Sequence, residues 1–262
     1  MIIKNGLVFQ EDGSFCKKDV YIRDHQIVEA EDMTEDRTVL DAEGLMVLPG
    51  LVDIHSHGAA GEDFSDGDPD GLKKILRYEK QSGITSYCPT SMTLPKEKLH
   101  RIFEAVRQAE HREDEAVIRG INMEGPFISK VKKGAQDERN IIPCNVEIAE
   151  QFLEASDGLV KFIGIAPEDN EDYLEFIEKM KGKVNISLAH TNADYDTAKK
   201  AFDAGANHAV HLYNAMPAFN HRAPGVVGAV YDGKHVMAEI ICDGIHMHPA
   251  MVRATFEMMG AD

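Results

Sequence analysis

Five side chains carry the strongest chemical information in this sequence: His55, His57, Glu124, His190 and His211. His55 and His57 stand two apart, as H-x-H in PGLVDIHSHG. In a β-strand residues i and i+2 face the same side, so both imidazoles can form a clip for a divalent cation. Pro49-Gly50 sets the turn into that strand, and Gly58 leaves room beyond it. Glu124 lies in NMEGPF, where Gly125-Pro126 stops the strand and leaves the carboxylate at its end. A carboxylate beside imidazoles suits Zn²⁺ or Fe²⁺ and can bridge two ions. His190 in SLAH and His211 in AVH each close an apolar run, so each ring marks the emergence of a strand from the core. Any one of these could be a hydrogen-bonded core histidine or a solvated glutamate. Together, at the ends of separate strands, they point to a cation site.

Such residues need a scaffold that gathers strand ends. From Leu51 onward apolar strands alternate with helical patterns. Strands are expected at 51–57, 84–90, 117–125, 160–168, 184–190, 208–215 and 235–244, and helices at 70–83, 96–111, 147–156, 170–182 and 194–205. A further helical run, PAMVRATFEMMGAD, closes the sequence. Strand–helix alternation implies parallel strands joined by right-handed crossovers. No G-x-G-x-x-G or Walker loop follows the first strand, which disfavours a nucleotide-binding open sheet. Polar residues at most strand ends favour a TIM-type (β/α)8 barrel, whose chemistry gathers at the C-terminal mouth. Residues 49–262 supply about seven of its eight strands. The barrel is therefore expected to be incomplete at the C-terminus, with the chain a truncated product. An eighth strand supplied by residues 1–48 is the alternative, but barrels close in sequence order. Residues 1–48 alternate apolar and polar positions around EDG and AEG turns, and read as the N-terminal part of a small β-sandwich domain.

The remaining composition sets limits. With a net charge of −17, nucleic acid and anionic membrane are poor partners. No apolar run approaches the ~20 residues of a membrane span. Cys16, Cys88, Cys144 and Cys242 are dispersed, and the N-terminus lacks a secretory layout, so a reducing cytoplasm is expected.

The segments PGLVDIHSHG, NMEGPFISKVKKGA, LAHTNA, HLYNAM and ICDGIHMHP, in this order, resemble the signature segments of the N-acetylglucosamine-6-phosphate deacetylases of the amidohydrolase superfamily. The likeness runs from about Leu48 to Pro249. It implies hydrolysis of the acetamide of a phosphorylated amino sugar by a cytoplasmic homodimer. It implies one or two divalent ions, Zn or Fe first, with Mn and Co as further options. Glu124, His190 and His211 match the ligands of the ion that activates water, and His55 and His57 match a second position used by some members. Asn214 and Ala215 match residues that hold the substrate near its phosphate. Arg222 matches a phosphate-binding arginine, and its planar fork suits that role. His246 matches a histidine that reaches the neighbouring subunit's substrate. Ala135 and Gln136 match a substrate-touching segment, and Gln136 departs from the histidine common there.

The resemblance also implies an aspartate at the end of the eighth strand that moves the proton. Its place falls beyond Asp262, so no such residue is assigned within the chain. Asp243 belongs to the seventh strand and precedes a DG turn, which makes it a poor substitute. The expectation is a chain that binds metal and turns over poorly. Two other classes compete. A cyclic-amide hydrolase or deaminase would call for a carboxylated lysine at the mouth of strand four, but Lys161 stands at that strand's start. A non-catalytic remnant would keep the fold and the metal alone.

Overall fold

A computed structural model describes residues 1–30, 38–110 and 112–260. Arg37, His111 and the last two positions, at the ends of expected segments, lie outside the described residues. The chain divides into two compact units, one spanning Met1–Leu51 and the other starting at Val52.

The first unit is a five-stranded sheet built from β1 (Ile2–Phe9), β2 (Phe15–Arg23), β3 (Gln26–Val28), β4 (Val39–Asp41) and β5 (Met46–Val47). β1 pairs antiparallel with β2 and parallel with both β4 and β5. The turn between β1 and β2 closes on Asp12, whose carboxylate accepts from the Ser14 N–H and hydroxyl. Strands with turn chemistry between them are what the alternating pattern predicts.

The second unit contains β6 (Leu51–Ser56), a small hairpin of β7 (Gly58–Ala59) and β8 (Glu62–Asp63), α1 (Pro69–Gln81), β9 (Ile84–Ser91), α2 (Lys96–Arg107), β10 (Val117–Ile118) and β11 (Ile121–Phe127). It continues through α3 (Val146–Ala155), β12 (Val160–Ile165), α4 (Tyr173–Met180), β13 (Asn185–Leu188), α5 (Tyr195–Ala204), β14 (His208–Ala209), α6 (Gly225–Asp232), β15 (Met237–Ala238) and α7 (Pro249–Met259). β10 and β11 are two segments of one strand, both paired with β9. The sheet runs β6, β9, β11, β12, β13, β14, β15, and from β9 onward each neighbouring pair is parallel. This is the seven-strand incomplete barrel of alternating strands and helices that the sequence predicts. Among the described residues β6 and β15 are its two ends.

The core lies between the strands and the helices packed over them. Ile121, Met123, Phe127, Ile163, Ile165, Ile186 and Leu188 are fully buried, as are Ile75, Ile102, Phe103 and Ile177 from the helices. Each such side chain contributes roughly 1.5–3 kcal/mol by leaving water. Helix starts are fixed by side-chain caps: Asp68 on Gly71 N–H, Asn145 on Ile148 N–H and Asp194 on Thr197 N–H.

Three features depart from the expected elements. The sixth and seventh strands form ladders of only two residues; after the sixth the chain turns into left-handed backbone at His211, Tyr213 and Ala215 (φ 31°, 76° and 52°). Pairing nevertheless continues irregularly, with Glu239 N–H donating to Ala209 O and Leu212 N–H to Glu239 O. α6 was absent from the expected helices; Gly225 to Val230 are all buried, so the segment lacks the polar stripe that marks a surface helix. Among the described residues no helix is long and apolar enough to cross a membrane.

Candidate metal centre

β6, β11, β13 and β14 deliver the predicted donors to one point. His55 lies near the end of β6 and His57 just past it. Glu124 lies within β11, and His190 and His211 sit two residues beyond β13 and β14. Glu124 is 4 % exposed and is the hub. Its Oε1 is 3.0 Å from His190 Nε2, 2.8 Å from His211 Nε2 and 3.4 Å from His55 Nε2. Its Oε2 is 3.2 Å from His57 Nε2 and accepts from the Gln136 amide at 2.7 Å.

The far side of each ring decides what faces the hub. His190 Nδ1 is 2.8 Å from Lys132 O, His211 Nδ1 is 3.1 Å from Asn214 O, and His57 Nδ1 is 3.1 Å from Thr90 O. His55 Nδ1 is 2.6 Å from Glu239 Oε2. Carbonyls and carboxylates only accept, so each Nδ1 carries a proton, and in the neutral ring Nε2 is then the lone pair that faces Glu124. His190 Nε2 and His211 Nε2 stand 3.2 Å apart. Two lone pairs at that distance repel unless a cation or a proton lies between them.

The donors form two overlapping groups that could each hold a metal ion: His55, His57 and Glu124, and Glu124, His190 and His211. Two imidazoles and a carboxylate are a usual set for a divalent cation. Bonds of ~2.0–2.1 Å in a tetrahedron place donors ~3.3 Å apart. The 2.8, 3.0 and 3.2 Å separations of the second group need only a few tenths of an ångström of opening. The donor set therefore fits.

Charge follows from this crowding. Burial works against a charged His55, but its bonds to Glu124 and Glu239 outweigh it and raise its pKa to about 10. Glu239 is lowered to about 2 against its burial, by His208 and His55. Without a cation, then, a proton on His55 supplies the balancing charge.

The backbone is held in unusual conformations at the same place. His190 and His211 have φ of 44° and 31°, a region that costs non-glycine residues about 1–3 kcal/mol. His190 is pinned because its carbonyl accepts from Ser129 N–H. Gly125 has φ 132°, and a Cβ there would lie 2.1 Å from Thr93 Oγ1. Only glycine fits in β11 directly after Glu124.

The other predicted residues divide. Asn214 and Ala215 form the loop that anchors His211 and, through Ala215 O, the Thr191 N–H. Ala135 is exposed beside the Lys132–Gly134 segment that anchors His190. Gln136 is 2 % exposed; its Oε1 accepts from Thr93 N–H at 2.7 Å, which fixes its amide N–H on Glu124. Arg222 is exposed on the Asn220–Ala223 turn, and its guanidinium has no partner among the described residues. His246 is exposed and its Nδ1 lies 2.7 Å from Asp243 Oδ2; neither it nor Arg222 touches the hub. Lys161 Nζ donates to Gly158 O at the start of β12, away from the mouth where a carboxylated lysine would be needed.

Glu239 and the bracing role of Gln136 were not foreseen. The signal for Glu239 was a lone carboxylate inside the apolar run VMAEII. Gln136 offered no comparable sign.

Comparison with known proteins bears on this geometry. The Amidohydrolase family profile matches residues 46–261. The chain is 33 % identical to an N-acetylglucosamine-6-phosphate deacetylase of Lysinibacillus sphaericus, over 100 % of this chain and 68 % of the relative. It is 34 % identical to the Bacillus subtilis (strain 168) enzyme of that name, over 82 % of this chain and 56 % of the relative. An N-acetylgalactosamine-6-phosphate deacetylase of Escherichia coli O157:H7 is 32 % identical over 95 % of this chain and 66 % of its own length. The crystal structure of N-acetyl-D-glucosamine-6-phosphate deacetylase from Mycobacterium smegmatis superposes with a TM-score of 0.87 at 29 % identity, covering 99 % of this chain and 68 % of that one. The chain thus spans between 56 % and 68 % of the length of these relatives. Strand-end donors on an open (β/α)-barrel, a profile that spans that barrel and relatives that cover the whole chain agree: the chain belongs to the amidohydrolase family.

Proposed function

We propose that this chain carries the cation-binding and substrate-holding parts of an enzyme that hydrolyses the acetamide of N-acetylglucosamine 6-phosphate, giving acetate and glucosamine 6-phosphate. The observation that carries the reading is the set of four imidazoles with every Nδ1 anchored and every Nε2 turned to one carboxylate. Hydrogen bonding alone does not need that arrangement, and a divalent cation does. Zn or Fe suits the donors best, with one ion at Glu124, His190 and His211 and a second at His55, His57 and Glu124. When bound, such an ion lowers the pKa of its water toward ~7 and polarises the acetamide carbonyl.

The chain's own residues then do the following. Glu124, braced by Gln136, keeps its two oxygens directed to the two positions. Lys132 and Asn214 carbonyls fix the tautomers of His190 and His211. Asn214 and Ala215 border the site and are placed to hold the sugar, with Ala135 on the opposite loop. Arg222 binds the 6-phosphate, and its exposed guanidinium, without a partner among the described residues, supports that role. His246, exposed and away from its own hub, supports a homodimer in which it reaches the substrate of the other protomer. A reducing, cytoplasmic setting is proposed on the free state of its four cysteines. The names of the relatives in Lysinibacillus and Bacillus favour the gluco epimer, and the relative in Escherichia coli makes the galacto epimer the direct competitor.

Among the described residues the carboxylates in contact with the four imidazoles are Glu124 and Glu239, and both are committed to them. Neither is free to take a proton from water and pass it to the leaving amine. The proposal for residues 1–262 is therefore firm substrate and cation binding with slow turnover.

Titration calorimetry with Zn²⁺ present tests it. N-acetylglucosamine 6-phosphate is expected to bind at least ~10-fold more tightly than N-acetylglucosamine, and Arg222→Ala to abolish that difference. Equal binding of the two sugars, or preference for a cyclic amide, would end the reading.

A further inference from the structure

Beneath the metal centre a line of polar groups crosses the interior of the barrel. Ser187 Oγ on β13 is 2.7 Å from His208 Nδ1 on β14. His208 Nε2 is 3.2 Å from Glu239 Oε1, and Glu239 Oε2 is 2.6 Å from His55 Nδ1. Ser187 and His208 are 0 % and 3 % exposed, and the Glu239 side chain 12 %. A carboxylate so placed is costly unless its partners repay the lost hydration.

Glu239 differs from the other anchors in two ways. Three of the four imidazoles are anchored by neutral backbone carbonyls, and His55 alone by a carboxylate. An anionic anchor both fixes the tautomer and makes the opposite nitrogen a better donor. Glu239 also spans the sheet: it follows β15 at one end and holds a histidine of β6 at the other. His55 is the imidazole farthest from Glu124, at 3.4 Å, and so depends most on an outside anchor.

We propose that Glu239 is a positioning residue that sets the tautomer and place of His55, and thereby decides whether the cation position formed by His55, His57 and Glu124 is filled. This rests on the two-ion reading above. Loss of the Glu239 side chain removes a long 3.4 Å bond from the His211 N–H but leaves the Nδ1 anchors of His190 and His211, Lys132 O and Asn214 O, intact, so the other position survives.

Equilibrium dialysis against Zn²⁺ followed by metal analysis tests this on the whole 262-residue chain. The unaltered chain is expected to take up two ions, Glu239→Ala one, and His57→Ala also one. Glu239→Gln keeps an oxygen for the His55 Nδ1–H without the charge, so it should keep both ions with the second ~10- to 100-fold weaker. With Zn²⁺ bound, ¹⁵N-histidine correlation spectra should show His55 protonated at Nδ1 alone, and Glu239→Ala should lose that single-tautomer signature. Two ions of unchanged affinity in Glu239→Ala would overturn the proposal alone. Loss of both ions would overturn it too, by making Glu239 a general support of the fold. An unaltered chain that binds one ion or none removes the two-ion reading and this proposal with it. If Glu239→Ala does not fold, Glu239→Gln decides: unchanged affinity for the second ion refutes the role.

Discussion

A methyl group at Gly134 tests whether the loop before Gln136 holds a metal ligand in place. Gly134 has φ +55°, and a Cβ there would lie 3.3 Å from His190 Cε1 and 3.6 Å from its Nδ1. Gly158 has φ +71° with nothing within 4 Å of the added atom. Both substitutions to alanine carry the left-handed backbone cost of roughly 1–2 kcal/mol, partly offset by a less flexible unfolded chain, for a net of about 1 kcal/mol. That corresponds to about 2–4 °C in Tm for a chain of this size. Only Gly134→Ala also pushes the His190 ring. The ring cannot retreat freely, because its Nδ1 is bonded to Lys132 O at 2.8 Å and its Nε2 is 3.0 Å from Glu124. A shift of ~0.2 Å already strains a metal–nitrogen bond. Gly134→Ala should therefore bind Zn²⁺ ~10-fold more weakly, or about 1.4 kcal/mol, while Gly158→Ala keeps the original Kd. The assay is Zn²⁺ competition with a chromophoric chelator, beside thermal melts without metal in which both variants lose the same few degrees. Equal Kd for the two variants would show that the Lys132–Gly134 segment does not position His190.

Chelation should lower Tm by about 5–10 °C from the value at a Zn²⁺ excess of ~100 Kd, since that excess stabilises by about 2.7 kcal/mol; Glu124→Ala should melt at one temperature with or without chelator. Gln136→Leu leaves Thr93 N–H and Glu124 Oε2 without their partner, and is expected to weaken Zn²⁺ binding ~10-fold by dialysis; an unchanged Kd would exclude Gln136 as a brace. Glu168, which accepts from the Thr191 hydroxyl and the Asn192 N–H, has its pKa raised above the ordinary 4.5 because burial outweighs those bonds. In the window just above 4.5 the folded chain holds more protons than the unfolded one, so stability falls as pH rises. Glu168→Gln lacks that fall, and its Tm relative to the unaltered chain should rise from pH 4 to pH 7; a flat difference contradicts it.

The sequence was most legible where one side chain had two independent reasons to be where it is. His55 and His57 were paired by spacing, and β6 with the residue just past it brings both to the hub. Gly125-Pro126 was expected to stop the strand after Glu124, but β11 runs on to Phe127 with an irregular register, and Gly125 is needed there because its φ of 132° and the closeness of Thr93 exclude a side chain. Residues 208–215 were read as one long strand, but left-handed turns at His211 and Tyr213 end the ladder at Ala209. Periodicity registers which residues are apolar, and that is unchanged when the chain bends toward a site. α6 escaped for the opposite reason, since its first six residues, Gly225 to Val230, are all buried and leave no polar stripe. The anchors were the least visible. Thr90, Lys132 and Asn214 act through backbone carbonyls, which every residue possesses, so nothing in their identity signals the role.

Those anchors explain why the fold can hold four lone pairs together. Each Nδ1 partner belongs to a segment tied down elsewhere: Thr90 to the β9–β11 ladder, Lys132 to Met216 O through its ammonium, and Asn214 to the turn closed on His211 O. The rings cannot rotate away from one another without breaking bonds that have nothing to do with a cation. The apolar cluster built from β11, β12 and β13 and the helices over them includes none of the hub's donors. Folding energy from that cluster can therefore sustain a mouth whose repulsion and left-handed backbone are unfavourable taken alone. An incoming cation then meets donors already oriented, and the repulsion among them becomes attraction to the ion. The same logic makes Glu239 the exception, because it anchors His55 through a side chain reaching across to the opposite end of the sheet, and not through a backbone carbonyl.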